Sequence, residues 1–297
     1  MNWHKYSPAL TTLLVFLLAQ GLGTILLFGF GMLVSPEFNA AIKAFTSGMA
    51  QNLPAFELIP VSAFSLILIA TDIIAVMLCY FFLRNIRLLT QNDLASIKWQ
   101  PAILAIAGGM LAAFSTSILT EDVALPDIMQ EMALAMSHNF WGLLAIAIIG
   151  PIAEELLFRE AIEGEMLRRG ANPWTAILIS AIAFGTVHFN LAQGLYALPL
   201  GIIFGIIYYK TGNILLTALL HITNNSLAAL QMCLMGDDFA EVSYADLLGG
   251  DTAASVIMAL CAIFSILLMA LFWDKYPSDA KQPPKGPSLM ERAYPMC

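Results

Sequence analysis

Apolar residues run along this chain in long, nearly uncharged blocks, not in the two-residue alternation of a half-buried strand. The blocks cover about 9–34, 59–83, 101–119, 140–160, 173–189, 191–209, 213–233 and 252–273. Their mean length is near 20 residues, the length a helix needs to cross about 30 Å of hydrocarbon. Barrel strands are about half as long, and only helices and closed barrels satisfy their backbone in lipid. The pattern predicts an all-α fold: a polytopic membrane protein, a bundle of about eight transmembrane helices in one domain over residues 1–273. The fifth and sixth blocks are parted only by a short region around Asn190, where Gly194 and Pro199 permit a break. The first block is too long for a signal-peptide core and reads as a retained anchor. Residues 274–297 carry Pro277, Pro283, Pro284, Pro287 and Pro295 among lysines, with little to bury, and a disordered tail is expected there.

Composition narrows the class. Charged residues make up 11% and hydrophobic residues 59%, whereas soluble domains are about 25% charged. A soluble enzyme and a disulfide-stapled secreted domain are thereby excluded. Thirteen basic residues stand against 21 acidic ones, a net charge of -8, so no nucleic-acid partner is expected. Cys79, Cys233, Cys261 and Cys297 show no paired spacing. Cys297 is not a C-a-a-X signal, which needs the cysteine fourth from the end.

The basic residues also fix an expected orientation. Lys5 precedes the first block; Arg84, Arg87 and Lys98 follow the second; Arg168 and Arg169 follow the fourth; Lys210 follows the sixth; Lys275, Lys281, Lys285 and Arg292 follow the eighth. The alternate loops hold Lys43 alone or are acidic (Glu121, Asp122, Asp127, Glu131; Asp237, Asp238, Glu241, Asp246, Asp251). Cytoplasmic loops are enriched in Lys and Arg, so both termini are expected in the cytoplasm.

Within the blocks, ionisable residues need a reason, because each costs about 2.5–3.5 kcal/mol at the bilayer centre. The candidates are Asp72, Glu154, Glu155, Arg159, His188 and His221, with the amide of Asn225. All but Asp72 fall in residues 154–225. Glu154, Glu155 and Arg159 form E-E-x-x-x-R, in which Glu155 and Arg159 share a helix face. Glu154, turned about 100° away, has no partner in its own helix and is suited to be a general base, with Arg159 clamping Glu155. A structural ion pair plus one interfacial carboxylate is the competing reading. Phe184 and His188 form F-x-x-x-H, and His221 and Asn225 form H-x-x-x-N on one face. Two donors aimed at one point suit a developing oxyanion, but each pair also suits interhelical hydrogen bonding. For Asp72 the structural role is preferred. Counted from the basic ends of their blocks, Glu154 lies roughly 20 Å deep, His188 roughly 22 Å and His221 roughly 16 Å. The agreement in depth favours a shared site.

The ordered set E-E-x-x-x-R, F-x-x-x-H and H-x-x-x-N resembles the CAAX protease and bacteriocin-processing (Abi) family, and within it the type II CAAX prenyl endopeptidases. Glu154-Glu155-Leu156-Leu157-Phe158-Arg159, Phe184-Gly185-Thr186-Val187-His188 and His221-Ile222-Thr223-Asn224-Asn225 carry the likeness, which covers about 150–230. It implies an intramembrane endopeptidase in which Glu154 and His188 activate a water, His221 and Asn225 hold the oxyanion, and Glu155, Arg159 and Phe184 support the site. The implied substrate is a membrane-embedded or prenylated peptide, met among membrane lipids in a bacterial cell membrane. No cofactor is expected. Two His and one Glu are also a catalytic zinc set, but Asn225 is a poor zinc ligand. The chain has no H-E-x-x-H, G-x-G-D or G-x-S-G. A non-catalytic membrane scaffold or immunity partner is the alternative, and a transporter, which usually shows repeated halves, a more distant one.

Overall fold

The computed structural model describes residues 3–49, 58–87, 97–122 and 129–276, together with 91 and 95. The expected tail beyond Tyr276 and the loop residue Asp127 lie outside the described residues. All regular structure among the described residues is helical. The helices are α1 (Ser7–Val34), α2 (Pro36–Thr46), α3 (Val61–Leu78, extended by a π turn Cys79–Leu83), α4 (Trp99–Asp122), α5 (Gln130–Ser137), α6 (Phe140–Arg168), α7 (Pro173–Thr186), α8 (Leu191–Thr211), α9 (Ile214–Met235), α10 (Tyr244–Leu248) and α11 (Asp251–Lys275).

Every predicted apolar block is a helix, namely α1, α3, α4, α6, α7, α8, α9 and α11. Six of these, α1, α3, α4, α6, α8 and α11, are long and apolar enough to cross a membrane. The count of eight is therefore approximate. α7 has only 14 residues. α9 has 22, but it carries His221, Asn224, Asn225 and Gln231. These two helices outside the six are the ones that bring in His188 and His221.

Four helices in succession begin with an asparagine. Asn139, Asn172, Asn190 and Asn213 are the N-caps of α6, α7, α8 and α9, and each side-chain oxygen accepts from a backbone N–H of the first turn. Such caps matter more away from water, because an orphan N–H has no other partner there. The cap also corrects the expected break between the fifth and sixth blocks. The chain turns at Val187–Asn190, with Phe189 in the left-handed region (φ 49°). Gly194 and Pro199 lie within α8 and do not interrupt it. Gly194 instead lets α7 approach. A Cβ on Gly185 would lie 3.0 Å from the Gly194 carbonyl oxygen, and one on Gly194 would lie 2.9 Å from that of Gly185.

The core falls into two main clusters. One packs α1, α3 and α7 around α6, through Phe16, Cys79, Leu157, Phe158, Ile162 and Phe184. The other packs α4, α8, α9 and α11, through Ala105, Leu200, Phe204, Leu220 and Phe272. α6 is the central helix, and its stretch from Leu157 to Met166 is buried throughout.

At one end of the bundle the ends of several helices are tied together. Lys5 Nζ donates to the Gly170 carbonyl (2.8 Å), Arg169 to that of His4 (3.0 Å), Arg168 to that of Asn85 (2.9 Å) and Arg87 to that of Gly212 (3.4 Å). At the other end, the Tyr244 backbone N–H donates to Glu121 (2.9 Å). The basic loops thus gather at one end and two acidic ones meet at the other.

Candidate active site

The site forms where α6, α7, α8 and α9 meet, between the two clusters, and the form of α6 is the first cause of its geometry. Two stretches of α6, Ala145–Ile149 and Glu155–Gly164, are π-helical, a form concentrated at functional sites. In the first, the Gly150 N–H bonds to the Ala145 carbonyl. The next residue is Pro151, which has no N–H. The Ile146 carbonyl is therefore left without the donors that an α- or π-pattern would give it. Asn225 of α9 fills the vacancy, its Nδ2 donating to Ile146 at 3.0 Å.

The second π stretch carries the acidic pair. Glu155 and Arg159 are both 0% exposed, with Arg159 Nε 3.2 Å from Glu155 Oε2. These two atoms approach as charges and do not form a hydrogen bond. Arg159 is held further by donation to Ser180 Oγ (2.8 Å), which itself donates to the Phe158 carbonyl (2.7 Å). Its guanidinium faces the rings of Phe184 (5.1 Å) and Phe204 (5.5 Å), a cation–π arrangement. The pairing expected from i,i+4 spacing is present.

His221 is buried and reaches both glutamates. Its Nδ1 lies 3.2 Å from Glu155 Oε1, and its Nε2 lies 3.5 Å from Glu154 Oε2. With Nδ1 donating to Glu155, a neutral ring would turn its Nε2 lone pair toward the Glu154 carboxylate. A proton on either partner converts that repulsion into attraction. Nε2 of His221 thus faces the Glu154 carboxylate. The Glu154 side chain is 25% exposed, against 0% for Glu155, so adjacent carboxylates differ in their access to water.

His188 lies just past the end of α7. Its Nδ1 is 2.8 Å from the Phe184 carbonyl. A carbonyl only accepts, so Nδ1 carries the hydrogen and the neutral ring keeps its lone pair on Nε2. No hydrogen bond joins His188 to Glu154 among the described residues. Phe184 links the two histidines: it packs edge-on against His188 (5.2 Å) and against His221 (5.6 Å). Glu154, Glu155, Arg159, His221 and Phe184 therefore form one contact set, with His188 joined through Phe184 and Asn225 through α6. No three His, Cys, Asp or Glu side chains converge as a metal-binding group among the described residues.

Asp72 of α3 is buried and accepts from Gln20 Nε2 of α1 (2.9 Å), the interhelical bond that a structural role requires. It also lies beside α6: a Cβ on Gly150 would stand 4.0 Å from its Oδ2. His4 and His138, outside the apolar core, are exposed.

Sequence reasoning missed three more carboxylates. Glu160, Glu163 and Glu165 are 2%, 0% and 1% exposed, because α6 continues inside the protein beyond the expected end near residue 160. Arg168 donates to Glu160 (2.7 Å) and Glu165 (2.8 Å), Arg169 donates to Glu165 (2.8 Å), and Tyr208 donates to Glu160 (2.6 Å). Both oxygens of Glu163 lack a hydrogen-bond partner, although the charge of Arg159 acts on it. Also missed were Asn224 and Tyr196, which back Asn225. Tyr196 donates to Asn224 Oδ1 (2.8 Å), and Asn224 Nδ2 donates to Asn225 Oδ1 (3.1 Å).

Comparison with known proteins bears on the same segment. The family model described as type II CAAX prenyl endopeptidase Rce1-like matches residues 136–227, which hold every residue of the contact set. A Bacillus subtilis (strain 168) protein named "Putative membrane peptidase YdiL" is 30% identical over 149 residues, covering 46% of this chain and 56% of the relative. The UPF0177 protein YxdF of Lactococcus lactis subsp. lactis (strain IL1403) is 30% identical over 131 residues, covering 43% of this chain and 68% of the relative. The match thus spans little more than half the length of the first of these. No solved structure matches the chain.

Proposed function

The chain belongs to the CAAX protease and bacteriocin-processing family, and from that premise we propose that it is an intramembrane endopeptidase acting on a membrane-embedded or lipid-modified, CAAX-like peptide. One observation carries this reading most directly. His221 approaches both carboxylates of the Glu154-Glu155 pair in the interior of an integral membrane helix bundle. A structural pair alone needs one partner for Glu155, and Arg159 already supplies it.

In the proposed reaction a water sits between Glu154 and Nε2 of His188. Glu154, with the greater access to water, takes the proton as the water attacks the scissile carbonyl. His221 and Asn225 stabilise the resulting oxyanion. Glu155 bonds Nδ1 of His221 and so fixes the orientation of the ring, and Arg159 holds Glu155 in place. The proton returns from Glu154 to the leaving amine. We propose no metal in this cycle, because Asn225 is a poor metal ligand and is better suited to donate to an oxyanion. The scaffold reading keeps one point in its favour, since the hydrogen bonds of His188 and Asn225 are also those of plain helix packing.

The test is proteolysis in liposomes by purified protein, with a farnesylated C-a-a-X peptide and a mixed peptide library. Glu154→Gln is run beside the wild type, each with and without a chelator. Cleavage lost in Glu154→Gln at unchanged protein level, and indifferent to chelator, is the expected result. Cleavage that survives Glu154→Gln removes Glu154 as the base, and cleavage abolished by chelator moves the chemistry to a metal.

A further inference from the structure

The Asn225 amide is fixed from both sides. On one side the Ile146 carbonyl, which Gly150 and Pro151 leave free, accepts from Nδ2 at 3.0 Å. On the other, Asn224 Nδ2 donates to Oδ1 at 3.1 Å, and Asn224 is itself fixed by the Tyr196 hydroxyl at 2.8 Å. An amide nitrogen carries two hydrogens. One goes to Ile146, and the second is uncommitted among the described residues.

All three bonds run in the same direction: Tyr196 to Asn224, Asn224 to Asn225, Asn225 to Ile146. Hydrogen bonds in such a chain polarise one another. An amide whose oxygen accepts is a stronger donor at its nitrogen. The chain also decides the orientation of a nearly symmetric group. A flipped Asn225 would set its oxygen against the Ile146 carbonyl and its NH₂ against the Asn224 NH₂, so both contacts would become repulsive. An oxyanion donor has to be held before charge develops, and a flipped amide would present a lone pair to the anion.

We propose that Tyr196 of α8 and Asn224 of α9 are positioning residues for the Asn225 amide, which they orient and polarise so that its second N–H faces the oxyanion. The proposal rests on the reading of Asn225 as an oxyanion donor. It adds two residues that act through Asn225.

The experiment uses the full chain in detergent or liposomes, as wild type and as Tyr196→Phe, Asn224→Asp and Asn225→Ala, with Tyr196→Phe also placed in the Asn225→Ala background. Tyr196→Phe removes one hydroxyl and keeps the ring. Asn224→Asp keeps an acceptor for Tyr196 but removes the donor to Asn225. The first readout is independent of activity: the side-chain amide signals of Asn225 in ¹⁵N-asparagine-labelled protein, assigned by their loss in Asn225→Ala. They are expected to shift and to exchange faster with solvent in both relay variants. The second readout is peptide turnover. Tyr196→Phe should lower kcat about 3–10-fold with KM unchanged, the effect of one hydrogen bond, and should cost nothing more once Asn225 is gone. Amide signals that stay put in both variants overturn the proposal, whatever the turnover. Signals that move while Asn225→Ala leaves turnover unchanged overturn the oxyanion reading beneath it.

Discussion

At the scale of single residues, the buried guanidinium of Arg159 shows how the site is held. Two desolvated charges gain from each other only if their remaining hydrogen-bonding groups are also served. Arg159 has Glu155 at 3.2 Å, Ser180 at 2.8 Å and two aromatic rings, all in a fully buried position. One turn further along α6 lies Glu163, whose carboxyl oxygens have no hydrogen-bond partner. Removing the cation leaves buried negative charge without compensation. Arg159→Ala is expected to cost about 3–5 kcal/mol, measured as a lower unfolding midpoint in detergent, and to abolish activity. Adding Glu155→Gln should recover part of that loss, because it removes the stranded charge. A double variant no more stable than Arg159→Ala would mean that Arg159 acts through packing against Phe184 and Phe204 instead. Spacing alone made this pair legible, since residues four apart share a helix face. It did not make His221 legible as the partner of both glutamates, because that contact spans 66 positions from Glu155 and depends on how α9 lies against α6.

At the scale of elements, hydropathy located the membrane helices to within a few residues, except at the end of α6, which runs eight residues past the expected 160, and it said little about their form. The two π stretches of α6 have no periodic signature, and only Gly150-Pro151 hints at the first: a Cβ at Gly150 would sit 2.8 Å from the Ala145 carbonyl oxygen. Glu160, Glu163 and Glu165 were illegible for a different reason. Charge normally marks the end of a span, yet here Glu160 and Glu165 are paired with Arg168 and Arg169, Glu160 also accepts from Tyr208, and Glu163 is buried beside them. The α7–α8 hairpin offers a direct test of element geometry. Gly185 and Gly194 bring the two backbones together just before the chain reaches His188. Gly185→Val forces a side chain into that contact and is expected to destabilise by about 1–3 kcal/mol. Because Phe184 and His188 flank the substituted position, turnover should fall by more than the loss of folded protein explains. Circular-dichroism melting beside turnover per folded molecule separates the two effects, and full specific activity would show that the site does not depend on this crossing.

At the scale of the whole molecule, two independent features agree on which loops share an end. The sequence alternates basic and acidic loops. The structure binds Lys5, Arg87, Arg168 and Arg169 to the ends of neighbouring helices and joins Tyr244 to Glu121 at the opposite end. Both features are consistent with an even number of crossings, including the short α7 and the polar α9. The charge bias adds a direction that geometry alone does not give, because a bundle of helices can face either way until positive charge near its ends is weighed. Single cysteines placed in a background without the four native ones test that direction in intact cells. Lys98→Cys stands before α4 on the basic end, and Glu241→Cys stands between α9 and α10 on the acidic end, both at exposed positions. A membrane-impermeant maleimide added outside the cell is expected to label position 241 at once and position 98 only after permeabilisation. The reverse pattern would invert the molecule and place the basic end, with the water-facing side of Arg169, outside the cell. Labelling of both positions in intact cells would require an even number of crossings between them, so that one of the five intervening helices α4, α6, α7, α8 and α9 does not cross, the short α7 being the first candidate.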